Sequence, residues 1–97
     1  MALYKADIWQ GATGRWYCNN ISNLGKGSGL WYLPARVLGI TPAEFIEFLL
    51  KEYKPDYCYY NKENNFFSYS WAEENKALCN SFKLYINKKA REKSFQI

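Results

Sequence analysis

The segment TPAEFIEFLLKEY, residues 41–53, carries the strongest local structural signal in this 97-residue chain. Thr41 supplies an N-cap hydroxyl, Pro42 takes the first helical position and Glu44 stands three residues after the cap. This spacing lets two otherwise unpaired N–H groups be satisfied reciprocally, which predicts a helix from about Pro42 to Tyr53. Its apolar side chains cover a wide arc, so we expect it to be buried against more than one element.

Two strands are predicted on the N-terminal side of this helix. Side chains alternate from Tyr4 to Trp9, and the sequence GATG at 11–14 supplies turn chemistry before a second strand over 15–18. Residues 19–33 contain too many Gly, Asn and Ser for a regular element and predict an ordered loop. A short helical turn is predicted from Pro34 to Leu38, where Gly39 ends it.

A second hairpin and a final helix are predicted on the C-terminal side. The strands are Tyr57–Tyr60 and Phe66–Trp71, joined by the polar turn NKENN. The helix runs from Glu73 to about Lys93, with acidic residues in its first turn and basic residues near its end. Its predicted apolar face is Leu78, Phe82, Tyr85 and Ile86, and its predicted solvent face is Lys76, Asn80, Lys83, Asn87 and Arg91.

This order of elements, ββαββα, predicts an α+β fold. We expect a single small domain over residues 1–97, with a mainly antiparallel four-stranded sheet and two helices packed on one face. A composition of 48% hydrophobic and 23% charged residues supports one core and excludes a disordered chain. No apolar run approaches the roughly 18 residues of a membrane span, and the N-terminus lacks an export signal. We therefore expect a cytoplasmic protein with no membrane partner.

The residue types argue against catalysis. The chain has no His, the commonest general base and a frequent zinc ligand. Its three cysteines, Cys18, Cys58 and Cys79, fit neither a disulfide framework nor a paired-cysteine metal site, and we interpret them as small hydrophobic residues. We therefore expect a protein without enzymatic activity, bound metal or cofactor.

Basic side chains indicate a function more strongly than any catalytic residue type does. Lys76, Lys83 and Arg91 fall on one side of the final helix, within a segment that has six basic residues and one acidic residue over 76–93. Such a row suits a phosphate backbone or an acidic protein face, although a charged helix face is usually only solvated. The full set of predicted anion-binding residues is Lys76, Lys83, Arg91, Lys26 in the glycine-rich loop, Arg15 and Arg36.

Aromatic residues make up 20% of the chain, more than so small a core can enclose. Exposed rings stack on nucleic-acid bases, and they equally form the hot spots of protein interfaces. The predicted stacking or interface residues are Trp31, Tyr59, Tyr69 and Trp71.

Three known motifs are matched only in part. The loop GKGSG, residues 25–29, lacks the spacing of a phosphate loop. Residues 33–53 follow a helix-turn-helix pattern but offer almost no donors to base edges. Pro55-Asp56 followed by Glu74-Asn75-Lys76 matches the letters of a metal-dependent nuclease motif, in which two carboxylates hold Mg²⁺.

The segments WYLPARVLGI, residues 31–40, and NKKAREK, residues 87–93, resemble short accessory proteins carried by bacterial phages and mobile elements. The resemblance implies an anti-defence protein that acts by stoichiometric binding, and it assigns no functional residues.

These observations lead to a first hypothesis and two alternatives. The first is a non-enzymatic binder of an anionic partner, nucleic acid or a nucleotide, through the basic helix face, the glycine-rich loop and exposed aromatics. The second is a protein–protein inhibitor or assembly module with an aromatic hot spot and a host protein as partner, and a homo-oligomer belongs here too. The third is a metal-dependent nuclease.

Overall fold

The structure is a computed structural model, which describes residues 3–21 and 31–96. These residues form two β-hairpins and three α-helices. The elements are β1 Ala6–Gln10, β2 Trp16–Ile21, α1 Leu33–Leu38, α2 Pro42–Glu52, β3 Tyr57–Asn61, β4 Phe66–Ser70 and α3 Lys76–Lys93. Strands β1 and β2 form hairpin 1, strands β3 and β4 form hairpin 2, and a 3-10 turn over Glu73–Asn75 leads into α3.

The α+β class is confirmed, but the single four-stranded sheet is wrong. Each hairpin is its own two-stranded antiparallel sheet. One bridge joins them, in which the backbones of Trp16 and Trp71 exchange hydrogen bonds of 2.8 and 2.9 Å. A third helix, α1, forms where a short helical turn was predicted.

Side chains add hydrogen bonds between the two hairpins beside the bridge. The Tyr69 hydroxyl donates to the carbonyl of Cys18 at 3.5 Å, and the Arg15 side chain donates to the carbonyl of Ser70 at 3.4 Å. These contacts link the hairpins where β2 and β4 do not pair as strands.

The helices pack against the hairpins and against one another: α3 contacts β1 and β2, α2 places a ring against β4, and α1 packs on α2 and α3. Phe67 and Tyr69 of β4 are buried, and the Phe45 ring of α2 lies 5.6 Å from the ring of Phe67. Phe82 of α3 lies 6.0 Å from both Phe45 and Trp71. Tilted and edge-to-face ring pairs of this kind add about 0.5–1.5 kcal/mol each beyond area burial.

The helix ends follow local sequence signals. The predicted capping box is present: the Glu44 N–H donates to the Thr41 hydroxyl, and the Thr41 N–H donates to the Glu44 carboxylate. The backbone N–H of Thr41, and to a lesser extent its side chain, lower the pKa of the Glu44 carboxylate. At the end of α1, Gly39 adopts a left-handed φ of 69°, and Lys93 of α3 donates to the Val37 carbonyl at 2.6 Å.

The predicted solvent face of α3 is wrong at its centre. Asn87 is only 8% exposed, because α3 packs against β1 as well as against the main core. Its Oδ1 accepts from the Ala6 N–H at 2.7 Å, and its Nδ2 donates to the Ala6 carbonyl at 2.9 Å. The side-chain amide thus imitates the peptide group of a neighbouring strand and satisfies the outer edge of β1.

The buried face of α3 is also rotated from the predicted one. Phe82 and Ile86 are buried as predicted, whereas Leu78 and Tyr85 are half-buried. The residues that α3 buries are Cys79, Phe82, Ile86, Asn87 and Ala90. No helix in the described ranges is both long enough and apolar enough to cross a membrane.

Replacing Asn87 with Ala should lower the free energy of unfolding by at least about 2 kcal/mol. The reason is that the Ala6 N–H and C=O both lose their partner in a buried position, at roughly 1–3 kcal/mol for each group. Urea denaturation measures the loss. Asn80→Ala is the control, since Asn80 lies on the same helix, is half-buried and bonds no described residue; equal losses in the two variants would contradict this role.

Candidate interaction surface

The face of the two hairpins turned away from the helices, here called the outer face, is rich in aromatic rings. In β3, Cys58 and Tyr60 pack against the core, while Tyr57 and Tyr59 point outward and are 50% and 44% exposed. Tyr57 lies opposite Ser70 and Tyr59 opposite Ser68 in the register with β4. The small serine side chains leave both tyrosine rings open to solvent.

Three further rings extend this surface. Phe66, 47% exposed, lies 6.0 Å from the Tyr59 ring. In hairpin 1, Trp9 and Tyr17 stack face to face at 4.5 Å with 19° between their planes. We call these five rings, Trp9, Tyr17, Tyr57, Tyr59 and Phe66, the aromatic face.

The strands that carry the aromatic face are almost free of charge. Asp7 is the single charged residue in the four strand sequences ADIWQ, WYCNNI, YCYYN and FFSYS. The lysines of the described ranges lie outside the strands, mostly on α2 and α3. Depletion of Lys, Glu and Asp together with enrichment of Tyr, Trp and Phe is the composition typical of a protein interface core.

A cleft of about 420 Å³ opens between the hairpins on the outer face. Arg15 lies in it with a fixed side chain, since its Nε donates to the Ser70 hydroxyl at 2.7 Å. No Arg15 nitrogen forms an ion pair with a carboxylate of the described residues. The residues that line the cleft are Arg15, Tyr17, Asp56, Tyr57, Ser68 and Ser70.

Asp56 has a structural role at the edge of this cleft. Its carboxylate accepts from the Ala72 N–H at 2.7 Å and from the Asn75 side-chain amide at 3.0 and 3.1 Å. These two donors, with a smaller contribution from Arg15, lower its pKa. Within the described ranges no three His, Cys, Asp or Glu side chains gather in a group that could hold a metal ion.

The predicted basic row along α3 is interrupted. The Lys76 ammonium lies over the Trp16 ring, 4.6 Å from its centroid, and Lys83 is half-buried. Buried Asn87 separates these two from Arg91. Arg91 instead shares a cavity of about 250 Å³ with Lys5, a residue that the sequence did not indicate.

The other predicted cations do not converge on this cavity. The Arg36 guanidinium lies over the Tyr32 ring at 4.9 Å, on α1. Arg15 lies on the outer face, in the cleft between the hairpins. Lys26 lies outside the described residues, as does the whole glycine-rich loop over 25–29.

Two of the four predicted stacking residues are wrong. Tyr69 and Trp71 are both fully buried, and the Trp71 indole N–H donates to the Tyr53 carbonyl at 2.8 Å. Trp31 packs edge-on against Tyr69 at 4.9 Å, while Tyr59 is exposed. Sequence reasoning missed Trp9, Tyr17 and Phe66, although the serines that alternate along β4 mark its outward face.

The positions of the cysteines agree with their interpretation as small hydrophobic residues that pack in the core. Cys18 and Cys79 are fully buried and Cys58 is half-buried, all as free thiols. Burial, and to a lesser extent the neighbouring Cys79 thiol, raises the pKa of Cys18, while burial raises that of Cys58. A raised pKa disfavours the reactive thiolate.

Comparisons with family models, with curated proteins and with solved structures each found no match for this chain. The resemblance to phage accessory proteins therefore stays a prediction.

Replacing Asp56 with Asn should lower stability in a pH-dependent way. Because the pKa of Asp56 is lowered on folding, its stabilising contribution is present above its ordinary value of 3.8 and is lost as the pH falls through the lowered folded value. The stability difference between wild type and Asp56→Asn should therefore shrink below about pH 4. Urea denaturation across a pH series measures it.

Glu47→Gln is the matched control for Asp56→Asn. Glu47 is an exposed carboxylate that bonds no described residue, so its replacement should change the free energy of unfolding by less than about 0.5 kcal/mol. A stability difference for Asp56→Asn that does not vary with pH would contradict the assigned role.

Proposed function

We propose that this chain is a non-enzymatic recognition module that binds a host protein through its aromatic face and acts as an inhibitor or an assembly module. The observation that carries the proposal is the combination of five aromatic rings on the outer face with strands that hold one charged residue. Tyr, Trp and Arg dominate interface hot spots, and Arg15 lies among these rings.

The rings are presented in a way that favours binding. Tyrosine and tryptophan have few rotatable bonds, so ordering them on binding costs little conformational entropy. The Trp9–Tyr17 stack and the Arg15–Ser70 hydrogen bond restrict these side chains further before any partner arrives. A pre-organised surface keeps more of its contact energy as affinity.

The charge distribution favours a protein partner over a nucleic acid at this face. Affinity for nucleic acids depends mainly on lysine and arginine contacts to phosphates. On the outer face the fixed Arg15 is accompanied by the carboxylate of Asp56. The net charge of +4 resides largely on the helices, where it would act on the rate of association.

A second candidate function rests on the other side of the molecule. Lys5 and Arg91 line one cavity of about 250 Å³ beside buried Asn87, which suits a phosphate group of a nucleotide or nucleic acid. In either case we place the protein in the cytoplasm of a bacterial host, as an accessory or anti-defence protein.

Tyr57→Ala and Phe66→Ala should each weaken binding to the host partner at least tenfold, because each removes a large exposed ring from the interface core. The partner is first isolated from a lysate of the native host with immobilised wild type and identified by mass spectrometry. Surface plasmon resonance then gives its Kd and association rate for each variant.

Lys83→Ala and Arg91→Ala are the charge controls in this experiment. Under the protein-binding proposal they lower the association rate but change Kd by less than about threefold. If these two variants abolish binding while the aromatic variants bind normally, the aromatic face is not the interface.

The nucleic-acid candidate has its own measurement, fluorescence anisotropy with a labelled single-stranded oligonucleotide. If this candidate is correct, the association constant falls by about 0.7–0.9 log units for each tenfold rise in salt concentration, for each phosphate contacted. It also requires Arg91→Ala to bind more weakly and with a smaller salt slope. Absence of binding at low salt would remove this candidate and leave the aromatic face as the proposed site.

A further inference from the structure

The two outer edges of the hairpins are treated very differently. An edge strand exposes unpaired N–H and C=O groups and tends to pair with other chains unless it is protected. At β1, the side-chain amide of Asn87 bonds both backbone groups of Ala6, and a register shift between Asp7 and Trp9 disrupts the strand. The segment just before β1 is covered too, since the Tyr4 N–H donates to the Phe95 carbonyl at 2.9 Å.

Among the residues that the structure describes, none protects the edge of β3 in these ways. Its sequence, YCYYN, contains no charged residue and no proline. Its five residues pair with β4 in unbroken register, so no bulge twists the strand away. Within the described ranges β4 is its one strand partner, and Tyr57 and Tyr59 remain about half exposed.

We propose that β3 pairs antiparallel with β3 of a second copy of this chain, about a two-fold axis that passes through Tyr59. Tyr59 is the middle residue of the five-residue strand Tyr57–Asn61. An antiparallel pair centred there places Tyr59 opposite itself, Cys58 opposite Tyr60 and Tyr57 opposite Asn61. Such an interface is isologous, and it closes at a dimer.

The charges that flank β3 are complementary in this arrangement. Asp56 and Lys62 stand three residues before and three residues after Tyr59. The two-fold axis therefore brings Asp56 of each copy toward Lys62 of the other. Hydrogen bonds from Ala72 and Asn75 hold the Asp56 carboxylate on the β4 side of its strand, so it is the long, exposed Lys62 side chain of the other copy that must reach across the edge of β3 toward it. Opposite charges favour this register over a shifted one.

The dimer would leave the aromatic face open, because the pairing uses backbone groups at the edge of β3. Hairpin 2 of one copy and hairpin 2 of the other would together form one four-stranded sheet. The outer faces of the two copies would then lie side by side. This inference concerns the chain alone and does not depend on the identity of a host partner, so its test is separate from that of the proposed function.

Sedimentation velocity over a wide range of protein concentration tests the dimer directly. The wild type should reach twice the 11.4 kDa mass of one chain. Tyr59→Lys should remain monomeric, because two lysines would meet at the axis. Ser68→Lys is the matched control: Ser68 lies opposite Tyr59 but on β4, away from the edge, so this variant should still dimerise. A monomeric wild type at every concentration would overturn the proposal.

Cysteine cross-linking tests the register in a Cys58→Ser background. Tyr59→Cys should form a disulfide-linked dimer with oxidised glutathione, because residues directly opposite in an antiparallel pair have Cβ atoms about 4.5–5.5 Å apart. Tyr57→Cys is the control, since the two copies of residue 57 would be offset by four residues, about 13 Å. Cross-linking that is equal at the two positions, or absent at residue 59, would refute the two-fold pairing.

Discussion

The paired hydrogen bonds between the Asn87 side chain and the backbone of Ala6 determine how the rest of the molecule is arranged. They join α3 to β1 across 81 residues of sequence, in a buried position where an unpaired amide would be costly. With one side of α3 held on β1 and another on the aromatic core, hairpin 1 and hairpin 2 share a helix layer on the same side. Their opposite side remains uncovered by any described element and becomes the outer face.

The parts of the fold that the sequence predicted are those with local causes. The start of α2 follows from Thr41, Pro42 and Glu44, and hairpin 2 follows from alternation on both sides of a polar turn. The relation between the hairpins has a non-local cause. It depends on the Tyr69 hydroxyl reaching the Cys18 carbonyl and on Arg15 reaching Ser70, contacts between residues more than 50 positions apart.

The candidate site was predicted in kind but only partly in position. Alternation indicated that one row of rings in hairpin 2 is exposed, and Tyr59 is in that row. It did not show which row of β4 faces the helices, because both sides of the hairpin carry aromatics, and Tyr69 and Trp71 prove to be core residues. The error at Asn87 has a related cause: a polar residue on a helix was assumed to face water, whereas here it bonds a strand edge.

The link between Ala6 and Asn87 also bears on the order of events during synthesis. β1 leaves the ribosome before α3, and the amide that closes its edge lies 81 residues later in the chain. Until α3 has emerged, the N–H and C=O groups of Ala6 lack the Asn87 side-chain amide that bonds them in the native structure. The native arrangement of hairpin 1 is therefore completed only after α3 has been translated. Before then, either chaperone binding or rapid folding must keep the edge of β1 from pairing with other chains.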